Sequence, residues 1–142
     1  MNYVFGIQAA GILVALSCAL SDIRERRIPN VACLLLALLG CVQSLVTGEW
    51  LDWKIALAAL VVGLVLFIAR CFGAGDIKFF WACVLFVPKH VHHLLVYTAA
   101  SGLILAIVYL AMHRFRRKEV GMLPYGVAIT AGFGLCLFGF VL

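Results

Sequence analysis

Polar residues interrupt this chain only at wide intervals. Between them lie six apolar stretches, at residues 3–20, 31–46, 55–69, 77–87, 94–112 and 122–142. A helix rises about 1.5 Å per residue and a hydrocarbon core is about 30 Å thick, so a perpendicular span takes about 20 residues. The first, fifth and sixth stretches meet that length, and the second and third reach it with flanking residues. The fourth is the weakest, because Lys78 and Pro88 bracket it, and it reads as a short helix beginning below the headgroups. The pattern predicts an all-α, polytopic integral membrane protein with six transmembrane helices, five being the fallback.

Composition narrows the class. The chain has 142 residues, is 66% hydrophobic and 12% charged, and has a mean hydropathy of +1.17. A soluble domain is about half apolar and a quarter charged, so a water-soluble enzyme, a disordered tail and a disulfide-stapled secreted domain are all excluded. The net charge of +5 does not point to nucleic acid, because the basic residues punctuate apolar runs and form no single face. The first stretch lacks the features of a cleaved signal peptide: no positive charge precedes it, and Arg24, the first, follows it. For the same reason residues 15–18, Ala-Leu-Ser-Cys, make a poor lipobox. Six cysteines (Cys18, Cys33, Cys41, Cys71, Cys83 and Cys136) include no CxxC pair. Five sit inside apolar runs and read as small buried hydrophobes.

Connector charges set the orientation. With six spans, one side carries Arg24, Arg26, Arg27, Arg70, Lys78, Arg114, Arg116, Arg117 and Lys118, which is nine; the other carries Lys54 and Lys89, which is two. The positive-inside rule makes the first group cytoplasmic and puts both termini outside. Omitting the fourth span would move Arg114–Lys118 to the wrong side. Asp22, Glu25, Asp76 and Glu119 are then cytoplasmic, with Glu49 and Asp52 outside. Asp22 and Asp76 each sit at the edge of an apolar segment, at matching depth.

Those two acids are the candidates for chemistry. Asp22 ends the first helix, where the helix dipole disfavours a negative charge. It reads either as a solvated loop acid paired with Arg24, Arg26 and Arg27 or as a reactive group. Asp76 follows Gly73-Ala74-Gly75 and reads either as an N-cap after a tight turn or as a carboxylate that the glycines leave open to an approaching backbone. Two carboxylates at one depth on different helices cannot comfortably both ionise if they meet. They would share a proton, supplying base and acid together, and would need no metal or covalent intermediate. Other catalytic sets are missing. His90, His92 and His93 fall on the outer side, lack helical ligand spacing and read as a solvated loop. His113 lies in a basic juxtamembrane run suited to lipid headgroups. Ser17, Ser21, Ser44 and Ser101 have no histidine at their depth. No metal and no cofactor are expected.

Three segments resemble the signatures of one family, the prepilin peptidases. Asp22 is followed six residues later by Ile28-Pro29-Asn30. Gly73-Ala74-Gly75-Asp76 is followed by Lys78. Pro124-Tyr125-Gly126 opens the last helix. They occur in the family's order and extend from Asp22 to Ile129. The resemblance implies a membrane aspartic endopeptidase of the bacterial cytoplasmic (inner) membrane, with Asp22 and Asp76 as its catalytic aspartates. The family removes a short basic leader from type IV prepilins at the cytoplasmic face. Gly73, Gly75, Lys78, Ile28, Pro29, Asn30, Pro124, Tyr125 and Gly126 would support the site. By local physics Pro29 ends a loop, Asn30 can cap the second helix and Pro124 can start the sixth. Lys78 reads as snorkelling to the headgroups or tuning the local potential, and Tyr125 as an interfacial anchor. Larger relatives add a cytoplasmic insertion with paired CxxC motifs and also N-methylate the product. Here the first cytoplasmic loop is about ten residues and has no cysteine. The chain therefore resembles the short form associated with Flp (Tad-type) pili, a single membrane-embedded domain over residues 1–142 with no cysteine-rich cytoplasmic domain and no implied methyltransferase. The expected partners are an Flp-like prepilin and membrane lipids. Two other readings stand beside it. A presenilin-like intramembrane protease also uses Gly-x-Gly-Asp, but Asp22 here lies at a basic loop junction. A small proton-coupled transporter or pilus-assembly scaffold would put acids mid-span, and none lies there.

Overall fold

The computed structural model describes residues 2–48, 53–70, 72–116 and 124–139. Among them are six α-helices and no strand: α1 (Asn2–Glu25), α2 (Asn30–Thr47), α3 (Trp53–Ile68), α4 (Ala74–Phe86), α5 (Val91–Arg116) and α6 (Tyr125–Phe138). Three stretches are long and apolar enough to cross a membrane: Tyr3–Glu25, Asn30–Thr47 and Pro88–Met112. Lys54–Ile68 and Tyr125–Phe138 are shorter apolar helices. Glu49, Asp52, Cys71, Arg117, Lys118 and Glu119, with the ends of the sixth apolar stretch, lie outside the described residues.

α4 is short because it is the centre of the bundle. Phe79 and the run from Ala82 to Phe86 are buried on every side of the helix, the pattern of a helix surrounded by others. α2 and α3 flank it, while α1 packs on α2 and α6, and α5 packs on α6. Glycines set the closest approaches. A Cβ on Gly40 would stand 2.9 Å from the backbone of Leu85 and Phe86, and the Phe86 ring lies over Gly11. Phe86 also meets Phe133 edge to face, with centroids 5.2 Å apart. The outward faces stay apolar: Leu13, Val31, Leu45, Ile68 and Leu110 are all exposed. Such a surface is excessive for a protein in water and fits one in lipid.

The histidine cluster departs from the loop expected for it. His90 closes a 3₁₀ turn at Pro88–His90, and His92 and His93 lie in the first turn of α5. Pro88 accounts for this, since its fixed φ suits a helical start. The His92 and His93 rings stand 4.0 Å apart.

Contacts sort the helix ends into two groups. The end of α1 meets the start of α6 through Asp22 and Gly126. The loop before α2 meets α4 through Ile28 and Gly75. At the far end, the Cys136 thiol of α6 lies 3.9 Å from the His90 carbonyl. The three signature segments therefore share one end of the bundle.

Candidate active site

α1 continues through Asp22 and stops because Arg26 turns to a φ of 54°, the left-handed conformation that ends many helices. The Arg26 N–H then donates to the Asp22 carbonyl at 3.1 Å, and the Ser21 hydroxyl holds the Arg27 carbonyl at 2.9 Å. Asp22 is 7% exposed, whereas Arg24, Arg26 and Arg27 are exposed. Asp22 is therefore a buried acid at a helix end and not a solvated loop acid.

The Asp22 carboxylate faces α6. Its Oδ2 accepts the Gly126 N–H at 2.8 Å. Gly126 is in the first turn of α6, where backbone N–H groups lack helical partners. Pro124 is the N-cap of that helix and supplies no side-chain hydrogen bond. Asp22 thus caps α6 from another helix, with a charge-assisted bond of the stronger kind. Glycine is required there, because a Cβ on Gly126 would stand 2.9 Å from Asp22 Oδ2 and 3.1 Å from Asp22 Cβ. One turn further on, the buried Thr130 hydroxyl lies 3.0 Å from the Ala15 carbonyl and 2.8 Å from the Gly126 carbonyl, fixing α6 against α1.

Asp76 is not the N-cap of α4; that position belongs to Gly73, with extended backbone. Asp76 sits three residues on, ahead of the apolar run that begins at Ile77. Its carboxylate reaches back to the Gly73 N–H, the geometry that the acidic residue of a capping box adopts. Burial, and next the charge of Asp22, push the Asp76 carboxyl up to about 6; the Gly73 N–H pulls the other way. The two carboxylates, 54 positions apart in sequence, thus lie within reach of each other's charge.

The remaining signature residues surround this pair. Ile28 packs against Gly75, at 3.5 Å from where a Cβ would be. Pro29 is the N-cap of α2 and Asn30 its first helical residue, with no side-chain cap bond. Asn30 therefore does not cap α2 as expected. Its Oδ1 instead accepts from Lys78 Nζ at 3.4 Å, tying the first signature to the second. Tyr125 packs edge to face on Phe72 with ring centroids 4.8 Å apart, so it is an internal wall rather than a free interfacial anchor. Tyr125, Phe72 and Asp76 line a cavity of about 680 Å³ between α3 and α5. Phe72 and Thr130 were not singled out from the sequence. The only signals were a ring next to the Gly73 turn and a hydroxyl four residues after Gly126. Among the described residues, no group of three or more His, Cys, Asp or Glu is placed to hold a metal ion.

The bundle thus brings a buried Asp22 and a half-buried Asp76 to one end, with Asp76 on the edge of an apolar cavity. Comparison with known proteins bears on what it would act on. The model of the type IV leader peptidase family matches residues 9–111, a stretch that includes Asp22 and Asp76 and ends before Pro124. No curated protein and no solved structure gives a significant match.

Proposed function

The chain belongs to the type IV leader peptidase family, and we propose that it is an aspartic endopeptidase that removes the basic leader from Flp-like type IV prepilins. Family membership carries a leader-peptidase function on prepilin-type substrates. The choice of aspartic chemistry rests above all on placement: Asp22, held by the Gly126 N–H, and Asp76 come from different helices to the same end of the bundle, where burial and next the charge of Asp22 push the Asp76 carboxyl up. Two carboxylates placed this way can divide the work of base and acid, with one proton serving the site.

The reaction then needs only water. Asp22, positioned by the Gly126 N–H, takes a proton from water as its oxygen attacks the scissile carbonyl carbon. Asp76 gives its proton to the carbonyl oxygen, and a tetrahedral diol forms. Asp22 passes its proton to the amide nitrogen, the C–N bond breaks, and a hydroxyl proton of the diol returns to Asp76. The products are a carboxylic acid and an amine, and the pair regains its starting state. No metal or cofactor takes part. The site belongs at the cytoplasmic face of the inner membrane, in a single domain of six spans with both termini outside. The clustering of Arg24, Arg26, Arg27, Arg70 and Lys78 around the signature segments supports that placement.

The test is precursor processing. Asp22→Asn and Asp76→Asn should each abolish the gel shift of a co-expressed Flp-type prepilin while the protein still inserts in the membrane. Processing at a rate close to wild type by either variant would refute the assignment.

A further inference from the structure

The cavity beside Asp76 extends well beyond the pair. On α5 its lining runs from Val91 through Leu95 and Gly102 to Ala106, and on α3 from Ile55 to Leu66. Fifteen helical residues separate Val91 from Ala106, a rise of about 22 Å. That is most of the hydrocarbon thickness of about 30 Å. Asp76 and Tyr125 stand at one end, since Tyr125 packs 3.6 Å from the Cβ position of Gly102. α3 is the thinner wall. It packs chiefly on α4, held by the Trp81 indole N–H on the Ala56 carbonyl at 3.0 Å and by Ile77 against Gly63.

We propose that this groove between α3 and α5 seats the substrate's own membrane segment, an apolar helix of about 15 residues adjoining the scissile bond. The proposal rests on the endopeptidase reading above and adds where the substrate lies. The groove is continuous with the carboxylate site, so an amide presented to Asp76 must enter at the groove's end. A peptide at this depth has no water for its N–H and C=O groups and must satisfy them within itself, which makes it helical. Its side chains must be apolar, because Asp76 and the Thr98 and Tyr125 hydroxyls are the polar side-chain groups along the lining. A lipid chain is the poorer occupant, since it would set methylenes against a carboxylate and offer it no polar group.

Two measurements test this. In the Asp76→Asn protein, which needs no turnover, a photoreactive residue replaces Ala99 on the groove wall or Ile104. Ile104 is 63% exposed and lies about 140° further round α5. A prepilin carrying its apolar segment should be captured from position 99 and not from position 104. Capture of lipid alone at position 99 overturns the proposal. In the active protein, kcat/KM is measured for that prepilin and for a junction peptide cut short of the apolar segment. Ala99→Trp should lower the prepilin-to-peptide ratio by about tenfold, and Ile104→Trp should leave it as in wild type. A ratio for Ala99→Trp within about twofold of wild type overturns the proposal. Failure of the carboxylate assignment would look different: Asp22→Asn and Asp76→Asn would remain active while capture at position 99 persisted.

Discussion

Gly126 is where two requirements meet in one residue. Its N–H must reach Asp22 Oδ2, and its missing side chain must leave room for the same carboxylate. An added methyl would stand 3.1 Å from Asp22 Cβ, an atom fixed to the α1 backbone and unable to swing away. The neighbours must give by a few tenths of an ångström, and they are themselves tied by Thr130. Gly126→Ala should therefore lower the processing rate steeply, by about 100-fold if the carboxylate shifts by about 1 Å, while the amount of inserted protein is unchanged. Gly75 is the contrasting case. A Cβ there would meet Ile28 at 3.5–3.8 Å, ordinary contact, so Gly75→Ala should leave thermal stability in detergent at or above the wild-type value. Equal processing rates for Gly126→Ala and wild type would mean that the Gly126 bond does not position Asp22. At this scale the sequence was informative about identity but not about role. Asp22, Asp76 and Gly126 all stand out from it. That Asn30 would answer Lys78 rather than cap α2 depends on a contact between residues 48 positions apart, which no local pattern carries.

At the scale of helices, the apolar stretches located all six elements and understated several of them. Residues 3–20 became Asn2–Glu25, and residues 94–112 became Val91–Arg116. Hydropathy marks the part of a helix that suits hydrocarbon, but backbone hydrogen bonding continues into polar residues until something stops it, as Arg26 does for α1. The fourth element shows the converse. Its apolar run is too short for an isolated span, yet α4 sits inside the bundle, where neighbouring helices rather than lipid surround it. Pair packing was not legible, because glycines in an apolar run look alike. Gly132 and Gly134 are two residues apart on α6. A Cβ on Gly132 would stand 2.6 Å from the Thr98 backbone nitrogen and 2.7 Å from its Cα, whereas one on Gly134 meets nothing within 4 Å. Backbone cannot rotate aside as a side chain can. Gly132→Ala should therefore force α5 and α6 apart and cost about 1–3 kcal/mol. Gly134→Ala should be neutral or stabilising by up to about 1 kcal/mol. Thermal unfolding in detergent measures both, and similar midpoints for the two variants would show that the α5–α6 contact is not this close.

For the whole molecule, the proposed orientation rests on the two groups of helix ends and the distribution of charge. Arg24, Arg26, Arg27, Arg70 and Lys78 are at the end that holds Asp22 and Asp76. Lys89 follows the opposite end of α4, and Lys54 lies in the first turn of α3, whose Ala56 carbonyl meets Trp81 past the middle of α4. The positive-inside rule acts on short loops next to spans, which is what these loops are. If all six helices cross, alkaline phosphatase, which is active only outside the cytoplasm, should be inactive when fused after Arg27, active after His93 and inactive after Arg116. The fusion after His93 is decisive for the short α4. Were α4 only a buried plug entering and leaving on one side, that fusion would report the same side as the one after Arg27. The fusion after Arg116 would then switch to the active state, carrying the basic end of α5 outside against the charge rule. Activity after Arg27 would instead invert the whole arrangement and move Asp22 and Asp76 to the outer face, where a leader retained in the cytoplasm could not reach them.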